Sequence, residues 1–157
     1  MRFRRRFERK RDDRYRVHLP ASERELLRAV VGELRFMLTE HQGDPSLRRL
    51  FPPAHEDPER EEEYRGLVRD QLLTGRQRAL NTLDETVDRE TLTAEEAEAW
   101  LTVLNDARLV LGTRLDVTEE TDFGAVDAED PDAQELAVYA YLTWLQGELV
   151  EAVAGRA

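Results

Sequence analysis

The chain has no cysteine, so disulfides, thiolate zinc sites, iron–sulfur clusters and cysteine nucleophiles are all excluded. Lysine is nearly absent as well. Lys10 is the single example, and the other basic residues are arginine. Ser22 and Ser46 are the only serines, both where helices are expected to begin, which capping explains without catalysis. The three histidines, His18, His41 and His55, stand apart, with no HxxxH pair to set two imidazoles on one helical face. No P-loop, GxGxxG turn or GxSxG elbow occurs. No apolar run approaches the roughly 20 residues that span a bilayer, and the basic start is followed by no apolar stretch. A cytoplasmic location is the expectation.

What is present is charge, unevenly placed. Charged residues make up 36% and apolar ones 40% of 157 residues, with a net charge of −11. Residues 1–20 hold nine Arg or Lys against three Asp or Glu, a balance of +6, so the remainder carries −17. The apolar residues are periodic, which marks charge-rich helix faces around a core and not a disordered chain. The expected fold is all-α: a single-domain bundle of about five main helices (residues 21–157), with a short N-terminal β-hairpin or arm (residues 1–20).

In the arm, Tyr15, Val17 and Leu19 alternate with Arg14, Arg16 and His18, the period of a half-buried strand. Phe3 and Phe7 lie upstream of Asp12–Asp13, a turn-prone pair, so a hairpin is expected, with a frayed arm as its alternative. Ser22 and Glu25 fit a capping box ahead of a stripe from Leu26 to Leu38. Asp44–Pro45 opens a short turn of helix, and Asp57–Pro58 opens a longer helix that Thr74–Gly75 is expected to break or kink. Its buried face should run through Tyr64, Leu67, Val68, Gln71 and Leu72 to Leu80, Leu83 and Val87. Thr93 with Glu96 caps a helix reaching Leu115, residues 116–130 read as an acidic loop, and Asp130–Pro131 starts the last helix.

The acidic clusters explain themselves. Glu61, Glu62 and Glu63 are consecutive and fan around a helix, while Glu95, Glu96 and Glu98 suit the positive end of a helix dipole. No Glu-x-x-His pair of a di-metal bundle occurs, and no cofactor is expected. Trp100 and Trp144 sit in amphipathic helices and are read as core, though tryptophan also anchors interfaces. In residues 104–115, LNDARLVLGTRL, the polar residues Asn105, Asp106, Arg108 and Arg114 surround apolar positions. With Trp144 they are the candidate protein-binding residues; the alternative is that Arg108 simply pairs with Asp106 or with a neighbouring helix. Gly112 within that helix points to close helix approach or a ligand contact. Arg2, Arg4, Arg5 and Arg6 are the candidate nucleic-acid contacts; the alternative is that the arm lies on the acidic body.

That segment belongs to the block AEAWLTVLNDARLVLGTRLDVTEE, most specific over residues 98–120. With RYRV, ERELLRAVVGELR, DPSLRRLFPPA and YLTWLQGELV, it resembles the actinobacterial AosR-like family of oxidative stress regulators, otherwise described as a domain of unknown function. The similarity runs nearly end to end. It implies a non-enzymatic regulator that associates with an alternative sigma factor, and a family gene neighbourhood that includes a Clp protease adaptor and cysteine biosynthesis. A thiol-based sensor needs two thiols, and this chain has none. Three readings therefore stand. The first is a regulatory protein binding a sigma factor or polymerase component, with nucleic acid reached through the arm and a two-fold homodimer open to it. The second is a partner or adaptor in Clp-type proteolysis. The third is a helical small-molecule or metal-binding enzyme, which requires a polar pocket with convergent titratable groups.

Overall fold

The computed structural model describes residues 5–51, 58–125, 127 and 129–155, with no account of the side chains of 58–65 and 125. Phe7–Arg9 (β1) and Tyr15–Val17 (β2) form an antiparallel hairpin with Phe7 opposite Val17. Its turn holds Asp13 at φ 53°, a left-handed conformation that aspartate tolerates better than most residues. Phe7, Tyr15, Val17 and Leu19 are buried, so the hairpin is part of the core and the frayed-arm alternative falls. A third strand, Thr91–Leu92 (β3), pairs antiparallel with β2 and was not foreseen. Two residues are too short to show a period.

Four α-helices and two 3-10 segments complete the described fold. Ala21–Glu40 (α1) is followed by a 3-10 segment, Pro45–Leu50, and then Pro58–Thr86 (α2). Ala94–Arg114 (α3), a second 3-10 segment at Phe123–Ala125 and Ala133–Val153 (α4) follow. The all-α reading with an N-terminal hairpin holds. Helix α3 is the axis of the bundle, packed on α4, α2 and the first 3-10 segment. Trp100, in the second turn of α3, is fully buried, donating from Nε1 to Thr86 Oγ1 at 2.8 Å and meeting Phe7 edge-on at 6.0 Å.

The start of α3 is the expected capping box: Glu96 N–H donates to Thr93 Oγ1 and Thr93 N–H to Glu96 Oε1. The start of α1 is not. Pro20 is its N-cap, its carbonyl accepting from Glu23 and Arg24, so Ser22 lies inside the first turn and caps nothing. Glu25 instead accepts from Arg28. The 3-10 segment begins as expected, with Asp44 accepting from the Ser46 amide at 2.8 Å.

The expected break at Thr74–Gly75 is absent, and α2 runs unbroken. One helical glycine costs about 1 kcal/mol, which anchoring on both sides outweighs. Arg69 donates to Gln42 O at 2.6 Å on one side, and Arg76 holds Asp106 and Leu50 O on the other. The expected buried face holds only for the second half, where Leu80, Leu83 and Val87 are buried. Leu67 is 63% exposed and Gln71 is exposed, while Val68 and Leu72 are half-buried. The side chains of Tyr64 and Glu61–Glu63, and all of His55, lie outside the described residues.

Candidate partner-binding site

The polar residues of α3 divide between two faces. Asp106 is 3% exposed and turns inward, accepting from Arg76 Nη1 at 2.7 Å. Arg76 also donates to Leu50 O at 3.1 Å and lies over the Phe51 ring with Arg69. Burial raises the Asp106 carboxyl above its ordinary range, and Arg76 opposes this without cancelling it. Arg108 does not pair with Asp106, because residues two apart on a helix point away from one another. It donates to Asn105 Oδ1 at 3.1 Å, and that oxygen also receives Gln146 Nε2 of α4 at 3.4 Å. Gly112 serves close approach of helices: a β-carbon there would stand 3.1 Å from Tyr139 Cε2, and Tyr139 is itself stacked on Phe123 at 5.7 Å. Arg114 is exposed at the last turn of α3.

Trp144 corrects the core reading. It is 44% exposed, because Leu142, Leu145 and Leu149 form the face of α4 turned to α3 and Trp144 is out of phase with them. Its ring carries the Arg6 guanidinium at 5.2 Å and approaches Tyr141 at 6.0 Å. Arg6 in turn makes a bidentate pair with Glu23, Nε to Oε1 at 3.0 Å and Nη2 to Oε2 at 2.9 Å. The Tyr141 hydroxyl donates to Glu23 Oε1 at 2.6 Å. Burial alone would raise the Glu23 carboxyl, but the Arg6 and Tyr141 donors outweigh it and hold it low. Burial and the Glu23 carboxylate together push the Tyr141 hydroxyl well up, so it is a donor at neutral pH. Hairpin, α1 and α4 thus meet at one carboxylate beside a half-exposed indole.

Of the four candidate nucleic-acid arginines, Arg2 and Arg4 lie outside the described residues, Arg5 is exposed, and Arg6 is engaged by Glu23. Sequence reasoning missed Glu23, Tyr141 and Arg76. Their types are ordinary at their helix positions, and only the tertiary packing brings them together. Among the described residues no three His, Asp or Glu gather as a metal site, and His18 and His41 contact Glu8 and Phe36 respectively. No helix among them is long and apolar enough to cross a membrane.

Comparison with known families settles the family. Residues 4–153 match the family described as a domain of unknown function, DUF2017. The chain belongs to that family. The chain is also similar to the oxidative stress regulators AosR of Mycobacterium tuberculosis and Mycobacterium bovis, each 30% identical over 131 residues. Those alignments cover 72% of this chain and 60% of each relative, so the chain spans less than two thirds of their length. A Mycobacterium leprae relative, whose AosR name is provisional, is 27% identical over 180 residues, covering 89% of this chain and 82% of its own. The AosR-like resemblance is thereby borne out. No solved structure matches this DUF2017 chain with significance.

Proposed function

We propose that this DUF2017 chain is a non-enzymatic regulator that works by binding a protein partner, and that the partner is an alternative sigma factor or another component of the transcription machinery. The observation that carries the binding role is the half-exposed Trp144, held by Arg6 and Tyr141. Tryptophan, tyrosine and arginine are the residues that dominate binding energy at protein interfaces, and here they are pre-ordered by Glu23, which lowers the entropy lost on docking. The names of the AosR relatives support the regulatory half of the reading.

Affinity capture from the native cell, with the full chain and its Trp144→Ala variant as baits, tests this. Recovery of a sigma or core polymerase subunit by the wild type and a loss of about tenfold or more with the variant is the expected result. Recovery of neither overturns it, and recovery of a Clp ATPase in their place selects the proteolysis reading.

A nucleic-acid contact through the arm rests on Arg5, Arg11, Arg14 and Arg16, all exposed. A salt titration of duplex binding by the wild type and a variant with these four changed to Gln reads it out. Equal, weak binding by both removes it.

A further inference from the structure

Helices α1 and α4 each pack on α3 but scarcely on one another. They are tied at one end, where Tyr141 meets Glu23, and beyond that tie they part around a groove of about 550 Å³. Its floor and walls are apolar: Leu26, Val30 and Leu34 from α1, Val110 and Leu111 from α3, and Val138 from α4. Glu33 stands on the α1 bank and Glu135 on the α4 bank, with Arg114 among the α3 residues that line it.

Of the other charged residues of α1, all but Glu40 have a polar partner among the described residues, Arg24 donating to the carbonyls of Leu19, Val87 and Arg89. Glu23 meets Arg6, Glu25 meets Arg28, Arg28 reaches Asp88 and Arg35 reaches Asp84. Glu33 and Glu135 have no ion pair among the described residues. Two unmatched carboxylates therefore flank an apolar trough from opposite sides.

We infer that this groove receives an amphipathic helix of a partner protein, its apolar stripe on the α3 floor and its flanking Lys or Arg residues against Glu33 and Glu135. The lining stretch of α1 from Leu26 to Met37 spans about 16 Å, or three helical turns, enough for apolar anchors at i, i+3 or i+4, and i+7. An extended strand would need a free sheet edge, and no strand lines the groove. Arg114 suits the carbonyl end of the bound helix. The inference rests on the reading of the chain as an interaction protein and is independent of which protein it binds.

The probes are two labelled helical peptides of about 14 residues that share one leucine stripe, one flanked by Lys and its twin by Glu. Fluorescence anisotropy with the full chain should show saturable binding of the Lys peptide, at least about tenfold tighter than the Glu twin. The Glu33→Lys, Glu135→Lys double variant should reverse that order, and replacing the leucines by Gln should abolish binding of either peptide. Thermal melting confirms that the double variant is folded, as its changes are at the groove rim. Equal binding of the twins, an order unchanged in the double variant, or binding that survives loss of the leucines would each overturn the inference. Should the peptides fail while Trp144-dependent capture succeeds, the groove assignment falls and the regulator reading stands. Saturable, charge-selective binding with no captured partner supports the groove and counts against that reading.

Discussion

Glu23 Oε1 accepts the Tyr141 hydroxyl at 2.6 Å, joining the first turn of α1 to the middle of α4 across 118 positions of sequence. Both oxygens of the same carboxylate receive Arg6, so the hairpin is fastened at the same point. Arg6 and Glu23 are each only 17% exposed at the side chain, so solvent screens this pair far less than an open surface pair.

Glu23→Gln should therefore destabilise the protein by about 1–3 kcal/mol, the range for hydrogen bonds to charged groups. Tyr141→Phe should cost about 1 kcal/mol, since Arg6 still satisfies the carboxylate. The folded Glu23 carboxyl is held below its ordinary value, so its contribution is complete above about pH 4.3 and is lost as pH falls through the folded value. Urea denaturation over acid pH should show that loss in the wild type and not in Glu23→Gln.

Phe7 is 1% exposed and meets the Trp100 ring at 90°. The apolar face of the hairpin is consequently part of the core, while Arg11, Arg14 and Arg16 face solvent. Phe7→Ala should cost about 3–5 kcal/mol, as other buried phenylalanine truncations do, and should alter the emission of Trp100. Removal of residues 1–20 should leave no cooperative thermal transition. A truncated chain that melts like the wild type would contradict this placement.

The elements legible in the sequence are those that near neighbours decide. The capping box at Thr93, the Asp44–Pro45 start and the alternation of Tyr15 and Val17 are each decided by neighbours a few residues away. Ser22–Glu25 misleads because a capping-box spelling is silent about where the helix begins, and Pro20 supplies the N-cap carbonyl two residues earlier than the box requires. Trp144 misled because α4 is apolar around much of its circumference, so composition does not say which side faces α3. Glu23, Tyr141 and Arg76 were illegible for a different reason: their partners lie 17 to 118 positions away and are chosen by the packing of whole helices.

The uninterrupted α2 makes a prediction about its glycine. A β-carbon at Gly75 meets nothing within 4 Å, so Gly75→Ala should stabilise the chain by about 0.5–1 kcal/mol through the unfolded state. The same change at Gly112 meets Tyr139 at 3.1 Å, with that ring held by Phe123. Gly112→Ala should gain less than Gly75→Ala, and Gly112→Val should destabilise by about 1–3 kcal/mol through overpacking. Thermal melts of the three variants side by side test the contrast; equal gains from alanine at both sites would refute it.

Asp106 and Arg76 form the one ion pair whose carboxylate is fully inside the described core. Removing one partner strands the other: Asp106→Ala should cost about 3–5 kcal/mol, because Arg76 remains largely enclosed beneath Leu50 and Phe51. Replacing both, as Arg76→Met with Asp106→Leu, should recover most of that loss, since an apolar pair of similar volume avoids desolvating two charges. The pH dependence has the opposite sign to that of Glu23. Burial raises the folded Asp106 carboxyl, so the folded chain binds this proton more tightly than the unfolded chain. Stability from this group accordingly declines as pH rises from about 3.9 through the folded value, and Asp106→Asn should remove that decline. A double-mutant cycle by urea denaturation at neutral pH decides the first point. If the double variant is as unstable as Asp106→Ala alone, the pair is required for stability at that position and the desolvation argument fails there.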